Sequence, residues 1–297
     1  MKRRSAWRFP LVGVIIAAAL IAAVVLVLER RVPAPDRPPL SGKRSEESRT
    51  GLTERKMPPP RAKTVEREKG ETKPQPAEPT GRPVAVIIDD IGYDLDVVGQ
   101  LARIEAPLAF AVLPFTPHAA EAARRLHAAG KEILLHLPME PRSYPAENPG
   151  PGALMTDMDD ETIRSRVAEA LAAVPHAIGV NNHMGSRFME DEARLRVVME
   201  ELAKRGLFFV DSRTTAASRG KEAAASAGVP FAARAVFIDH KRGYEAALAN
   251  LVPPNDGRRR GRPVLMIGHP HPETIRALGR FASLRWEGTA TVIPLSA

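Results

Sequence analysis

The sequence contains no cysteine, and this absence removes two kinds of structure from consideration. No disulfide can form and no thiolate can bind a metal, so any metal site must use His, Asp or Glu. Aromatic residues make up only 5% of the 297 residues, so the core must rest on Ala, Val, Leu and Ile. The hydrophobic content of 44% is nevertheless ordinary for a globular protein.

The larger part of the chain also lacks an excess of positive charge, although the net charge of the whole chain is +8. Residues 1–82 hold 18 Lys and Arg against 9 acidic residues, a net charge of +9, whereas residues 83–297 hold 25 against 26, a net charge of −1. Sequence-independent binding of phosphates needs a basic surface. We therefore predict no nucleic-acid partner, and we interpret the basic cluster GRRRGR at 257–262 as a solvated loop.

One long apolar run covers residues 11–28, directly after a basic N-terminal flank. Eighteen residues in a helix span about 27 Å, close to the thickness of the hydrocarbon core of a bilayer. Residues 1–31 are predicted to be a membrane anchor or a signal; cleaved signal peptides have a shorter apolar core, which favours an uncleaved anchor with a cytoplasmic N-terminus over a cleaved signal. The rest of the chain would then lie in the periplasm or otherwise outside the cytoplasm, held at the inner membrane through residues 11–28.

Residues 32–82 are rich in Pro, Lys, Arg, Glu, Ser and Thr and contain few large apolar side chains. Such a segment cannot bury enough apolar surface to offset the entropy lost on ordering, so it is predicted to be a disordered linker. About 50 flexible residues span on the order of 40 Å. We expect this linker to tether the domain over residues 83–297 at a distance from the membrane.

From residue 83 onward, short apolar runs alternate with segments of helical periodicity. This alternation is typical of parallel strands covered by helices, and seven or eight such units in about 215 residues favour a distorted seven- or eight-stranded (β/α) barrel. The predicted helices cover residues 119–130, 159–174, 191–206 and 273–284. The predicted strands cover residues 84–89, 108–114, 132–137, 177–182, 207–212, 235–239, 264–269 and 291–295.

Polar residues stand at the ends of most of these strands. An Asp after a strand is often a helix cap, and a single His is most often a packed or surface residue. In a parallel barrel, however, all the carboxyl ends of the strands emerge on one face, where loops build active sites. The residues at these ends are Asp89, Asp90, His136, His183, Asp211, Asp239 and His269.

Carboxylates and histidines that converge without cysteine are suited to zinc or a similar divalent ion. A catalytic zinc takes three protein ligands and keeps one position open for water. Neighbouring side chains at a strand end point in different directions, so one carboxylate of the Asp89–Asp90 pair can bind the metal while the other acts on water as a base. The cation would offset the repulsion between the two charges.

Five segments, in this order, resemble the divergent polysaccharide deacetylase family: VAVIIDDIGYD, ILLHLPMEP, GVNNHMGSRF, FFVDSRTT and LMIGHPHPETI. The resemblance covers about residues 83–294. It implies a metal-dependent carbohydrate esterase with a distorted (β/α) barrel. The expected activity is hydrolysis of N-acetyl groups on an envelope glycan, with a divalent metal ion as cofactor.

The resemblance also implies roles for individual residues. Asp89 matches the catalytic base, Asp90 a metal ligand, His269 the residue that protonates the leaving amine, and Asp211 a region that orients catalytic groups. Better-characterised deacetylases have two histidine ligands four residues apart, but here His136 is followed by Glu140, so His183 is expected to supply the second imidazole. The Arg-containing third motif is not recognisable. The predicted substrate-binding residues are Glu140, Arg187, Arg213 and Asp239.

Two other interpretations remain open at this point. The missing motifs and the long linker are compatible with a non-catalytic, membrane-tethered factor that keeps the barrel and binds a glycan or a protein. A receiver-like phosphoacceptor domain also has an Asp pair after its first strand. That domain needs only about 120 residues and a Lys at a late strand, whereas this chain has His269 at that place and a predicted export signal.

Overall fold

The computed structural model describes residues 82–252, 263–284 and 290–297. The predicted anchor over residues 11–28, nearly all of the predicted linker and the basic cluster at 257–262 lie outside these ranges. Within the described ranges, no helix is long and apolar enough to cross a bilayer.

All strands pair in parallel, and they alternate with helices along the chain. The strands are β1 (Arg82–Ile91), β2 (Ala109–Val112), β3 (Glu132–Met139), β4 (Ala177–Met184), β5 (Phe208–Asp211), β6 (Phe231–Ala233), β7 (Val236–Phe237), β8 (Val264–Gly268) and β9 (Ala290–Val292). The helices are α1 (Leu95–Ala102), α2 (Ala119–Ala128), α3 (Asp160–Ala173), α4 (Glu192–Ala203), α5 (Gly220–Ala227), α6 (Tyr244–Leu251) and α7 (Pro272–Ser283), with a short 3-10 helix at Phe188–Glu190.

The strands follow the order β6-β5-β4-β3-β2-β1-β8-β7, and β9 pairs with the start of β1. The two ends of this order, β6 and β7, are consecutive in the chain. Between them, the Arg234 amide donates to the Asp211 carbonyl and the Ala235 amide donates to the Leu265 carbonyl. One extended segment therefore passes from β5 to β8, and the sheet is consistent with a distorted (β/α) barrel.

The predicted class of parallel strands covered by helices is confirmed, and the eight predicted strands are all present with altered ends. The residue patterns did not predict β6 or the helices α1, α5 and α6. These elements are short, three residues for the strand and eight for each helix, so they carry little periodic signal. The strand order also differs from that of a five-stranded receiver domain.

Two apolar layers lie on the two faces of the sheet. The larger layer joins the outer face of the strands to the helices and includes Val86, Ile88, Phe110 and Leu135. The smaller layer fills the barrel interior with Ala85, Ile87, Ala109, Ala111, Leu134, Val210, Leu265 and Ile267. Because side chains alternate along a strand, a residue two positions after one of these interior residues also faces the barrel interior.

Gly179 on β4 makes room for an aromatic ring beside this interior layer. A Cβ atom at this buried position would lie 2.4 Å from a ring carbon of Phe208 on the neighbouring strand. Phe208 itself packs against the interior layer. The small residue at position 179 is therefore required by the packing of the adjacent strand.

We expect Gly179→Ala to lower the free energy of unfolding by about 1–3 kcal/mol, because the added methyl group overpacks the space taken by Phe208. The control is Gly99→Ala, since a Cβ at Gly99 in α1 meets no atom within 4 Å. That change should be neutral or stabilise by about 0.5–1 kcal/mol. Denaturant unfolding of both variants measures the difference, and equal stabilities would contradict this account of Gly179.

Candidate metal and catalytic centre

Along β1 and β8, every second side chain points into the barrel, and the polar residues at the strand ends continue these inward-facing rows. On β1 the row runs Ala85, Ile87, Asp89, and on β8 it runs Leu265, Ile267 and then His269. Ile87 pairs with Ile267, so Asp89 and His269 leave adjacent strands at the same level. The apolar filling of the barrel thus ends in a polar layer at its carboxyl mouth.

A bulge in β1 turns two successive carboxylates toward this mouth. Ile88 pairs with Phe110 and Ile91 pairs with Val112, so β1 has one more residue than β2 in this interval. Asp90 takes up the extra length with a left-handed backbone, φ 58°. Such a conformation costs a non-glycine residue roughly 1–2 kcal/mol, and it breaks the alternation that would otherwise send the two side chains to opposite faces.

Three ligand atoms lie almost at the corners of an equilateral triangle. The Asp90 Oδ1 atom is 3.3 Å from His136 Nε2 and 3.2 Å from His183 Nδ1, and the two imidazole nitrogens are 3.2 Å apart. Asp90 Oδ1 is buried but makes no hydrogen bond of acceptable geometry. The three atoms therefore converge on a common point.

This arrangement fits a tetrahedral divalent cation. Ligands about 2.0–2.1 Å from a tetrahedral zinc are separated from each other by about 3.3 Å. The donor set of one carboxylate and two imidazoles is a typical zinc set, and a buried carboxylate oxygen without a hydrogen-bond partner is suited to binding a cation. Asp90, His136 and His183 would hold the metal.

Asn181 holds two side chains of the centre in position, the imidazole of His136 and the carboxylate of Asp89. It is fully buried, and the register of β3 and β4 places it opposite His136. Its side-chain oxygen lies 2.8 Å from His136 Nδ1, so Nδ1 carries the proton and Nε2 is free to face Asp90. Its amide nitrogen donates to Asp89 Oδ1 at 2.8 Å.

The two aspartates have opposite electrostatic surroundings. Burial raises the pKa of the Asp89 carboxyl, and the opposing effects of His136 and Asn181 do not cancel that rise. Burial alone would also raise the pKa of Asp90, but His136 and His183 outweigh it and hold that pKa far below the ordinary value. Asp90 is thus kept ionised as a ligand, while Asp89 has a greater affinity for a proton.

His269 is held by the carboxylate of Asp239, which follows the neighbouring strand β7. Asp239 Oδ1 lies 3.1 Å from His269 Nδ1, and Asp239 Oδ2 accepts from the His269 amide at 2.6 Å and from Thr274 Oγ1 at 3.1 Å. The other ring nitrogen, Nε2, lies 3.9 Å from Asp90 Oδ2. Burial alone would lower the pKa of His269, but the bond to Asp239 and the nearby carboxylate charges raise it.

A second group of possible ligands is already engaged. Asp239, His269 and His271 place ligand atoms within 4.8 Å of one another. Both oxygens of Asp239 are used in the hydrogen bonds to His269 and Thr274. Among the described residues of the two groups, the buried ligand atom that lacks a hydrogen bond is Asp90 Oδ1, which belongs to the triangle with His136 and His183.

Asp211 lies on the outer-facing row of β5, since Val210 belongs to the barrel interior. Its Oδ1 atom accepts from the Arg213 amide at 2.6 Å, and this bond shapes the turn after the strand. Arg213 has a left-handed backbone and an exposed side chain. The structure therefore brings neither residue into hydrogen-bonding contact with the metal triangle, and the residue that holds His269 is Asp239 rather than Asp211.

Glu140 and Arg187 organise the loop after β3. Glu140 Oε1 accepts from Arg187 Nη1 at 3.0 Å, and Glu140 Oε2 accepts from the amide and hydroxyl of Thr156 at 2.7 and 2.6 Å. The Glu140 carboxylate is buried and fully occupied. It therefore does not serve as a ligand in place of the second histidine of the better-characterised deacetylases.

Arg234 was not singled out by the sequence analysis, although it lies at this mouth. Its Nε atom donates to the Ser212 carbonyl at 2.8 Å, and its guanidinium stacks 4.7 Å above the Phe237 ring. Burial and the charge of Arg213 lower the pKa of Arg234, against the attraction of Asp211 and Asp89. No sequence motif marks this residue, because it stands in the short connection between β6 and β7.

Two curated proteins are similar to this chain in sequence. A chain with 36% identity over 196 residues is the uncharacterized protein YibQ of Escherichia coli K12; the match covers 66% of this chain and 60% of that one. An uncharacterized protein of Haemophilus influenzae is 32% identical over 195 residues, covering 66% of this chain and 69% of that protein.

A similar fold occurs in the crystal structure of the uncharacterized protein ATU2773 from Agrobacterium tumefaciens C58. The two structures have a TM-score of 0.67 and 24% sequence identity, and the alignment covers 73% of this chain and 88% of the other. The family model described as divergent polysaccharide deacetylase matches residues 86–297, which include both aspartates of β1 and all three histidines of the site. This chain is therefore a member of the divergent polysaccharide deacetylase family.

Proposed function

We propose that the protein is a metal-dependent deacetylase that hydrolyses N-acetyl groups on amino sugars of an envelope glycan. The observation that carries this proposal is the triangle of Asp90 Oδ1, His136 Nε2 and His183 Nδ1, with sides of 3.2–3.3 Å, beside the buried Asp89 and the oriented His269. Membership of the family supports a glycan as the substrate.

The proposed metal is zinc, held by Asp90, His136 and His183. When bound, such a cation polarises the acetyl carbonyl and lowers the pKa of water toward 7. Asp89 is placed to take the proton of the attacking water, and its raised pKa suits a group that must bind that proton. As the carbon–nitrogen bond breaks, His269 delivers a proton to the amine nitrogen, and Asp239 keeps the His269 ring in the orientation that presents Nε2.

The cellular compartment of this activity is proposed from the sequence. Residues 11–28 would anchor the chain in the inner membrane, and residues 32–82 would let the domain reach a glycan in the periplasm. The alternative, a tethered glycan- or protein-binding factor without turnover, would keep the same barrel, and the experiments below separate the two.

The metal centre predicts about one bound zinc per chain. A His136→Ala/His183→Ala double variant should lose this metal, because it removes two of the three ligands. The control is His127→Ala, which removes a histidine that stacks on His176 with ring centroids 4.0 Å apart, away from the triangle. Elemental analysis of the purified full-length proteins after dialysis measures the stoichiometry, and full retention of metal by the double variant would refute the site.

The proposed base predicts that Asp89→Asn keeps the metal but lowers kcat on an acetylated glycan by roughly 10²–10⁴-fold. Asparagine retains the shape of the side chain and can still bond to Asn181, but it cannot accept the proton of water. Release of acetate measures turnover, and metal analysis of the same sample shows that the site is intact. A fully active Asp89→Asn protein with bound metal would exclude Asp89 as the base.

Two buried aspartates can be compared directly. Asp239→Asn should lower kcat by roughly 10–100-fold with KM nearly unchanged, since it replaces one of the two acceptor oxygens that hold His269 and Thr274 by a donor and removes the negative charge beside the His269 ring. Asp211→Asn should change kcat by less than about twofold, because its carboxylate bonds to the Arg213 amide rather than to a residue of the centre. The opposite ranking of the two variants would assign the orienting role to Asp211 instead.

A further inference from the structure

The imidazole of His269 contacts an aromatic ring in addition to the carboxylate of Asp239. The rings of Phe237 and His269 have centroids 5.2 Å apart and an angle of 88° between their planes, an edge-to-face arrangement that aromatic pairs favour. Phe237 is the last residue of β7 and pairs in register with Ile267, two residues before His269 on β8. Because the Phe237 ring packs against the interior layer of the barrel, it contacts His269 from the interior side.

Arg234 holds the Phe237 ring in place. The guanidinium carbon of Arg234 lies over the face of this ring, 4.7 Å from its centroid, in a cation–π contact. The same guanidinium donates from Nε to the Ser212 carbonyl at 2.8 Å and from Nη2 to the Arg213 carbonyl at 3.2 Å. These two hydrogen bonds tie the cation to the turn after β5, so the group that covers the Phe237 ring is itself fixed.

The contact with Phe237 restricts a motion that Asp239 leaves free. The hydrogen bond between Asp239 Oδ1 and His269 Nδ1, 3.1 Å long, fixes one atom of the imidazole. The outer torsion of a histidine side chain is broad, so a ring held at one atom can still rotate and carry its other nitrogen away. A second contact, away from Nδ1, removes this freedom. Phe237 supplies that contact, and it thereby determines where His269 Nε2 points.

We propose that Phe237 is a positioning residue for the reaction: its ring, covered by the Arg234 guanidinium, holds the His269 imidazole in the orientation that presents Nε2 to the leaving amine. This inference rests on the proposed function, which makes His269 the proton donor. Phe237 acts through His269 and contacts no reacting atom. Removing its ring therefore slows the transfer of the proton to nitrogen without weakening the binding of substrate or metal.

The first test separates an effect on turnover from an effect on binding. In full-length, zinc-loaded protein, Phe237→Leu keeps an apolar side chain but removes the ring, and it should lower kcat for the hexamer of N-acetylglucosamine roughly tenfold. KM and the zinc content should each change by less than about twofold, since Phe237 packs on His269 and Arg234 rather than on the metal triangle. Phe237→Tyr retains the ring and should keep kcat within about twofold of the parent protein.

Phe231→Leu is the matched control for this comparison. Phe231 lies on β6 and is partly buried like Phe237, but its ring stacks on Phe209, with centroids 6.4 Å apart. Both leucine substitutions remove a phenyl ring, so both should lower the melting temperature to a similar extent. Phe231→Leu should nevertheless leave kcat unchanged. An equal loss of kcat in the two variants would assign the effect to general destabilisation and overturn the role of Phe237.

A measurement without substrate tests the orientation of the ring itself. In full-length, zinc-loaded protein with labelled histidines, ¹³C relaxation reports how far the His269 ring moves, and His269→Gln assigns its signals. The ring should be rigid in the parent protein and in Phe237→Tyr, and more mobile in Phe237→Leu. Because this result does not depend on turnover, it stays decisive if the parent protein releases no acetate, an outcome that would refute the proposed function alone.

Three further results would overturn the inference. A Phe237→Leu protein with the kcat and the ring mobility of the parent would show that Asp239 alone orients His269. A mobile His269 ring in the parent protein would show that the aromatic contact does not hold it. Equal losses of kcat in Phe237→Leu and Phe237→Tyr would show that the aromatic ring is not the group on which turnover depends.

Discussion

The extra residue in β1 is the constraint on which the candidate centre depends. In a regular strand, Asp89 and Asp90 would point to opposite faces of the sheet, and one of them would enter the apolar layer beneath the helices. The bulge between Ile88 and Ile91, with the left-handed backbone at Asp90, brings both carboxylates to the barrel mouth. The strain and the repulsion between like charges are tolerated because histidines converge on Asp90 and Asn181 binds Asp89.

The residues around the two aspartates give them different chemistry. Asn181 bonds to His136 on one side and to Asp89 on the other, so one buried amide sets a tautomer and holds a carboxylate. Asp239 does the same for His269 from a different strand end. His136, Asp89 and His269 are thus each oriented by a buried partner, and such partners hold reactive side chains in one orientation.

The sequence predicted most of the strands and most of the residues that the structure brings together at the barrel mouth, because both have a local signature. Continuous apolar runs mark buried parallel strands, and a polar residue directly after such a run lies at the carboxyl face. The sequence did not predict the positions of residues without this signature. Asn181 lies inside β4 as an ordinary polar residue of the strand. Arg234 stands between two very short strands. Asp211 and Asp239 both follow apolar segments, and nothing local distinguishes the one that faces outward.

By itself, the sequence determined the fold class, the absence of thiolate ligands and the set of aspartates and histidines that could meet at one face. Only the tertiary structure decided which of them meet. Strand register places Asn181 opposite His136, the β1 bulge turns Asp90 inward, and the crossing from β6 to β7 brings Asp239 to His269. The contact between Asp239 and His269 joins residues 30 positions apart in the chain, and that between Asn181 and Asp89 joins residues 92 positions apart. Their geometry follows from how strands pair across the barrel, which local patterns of residues do not encode.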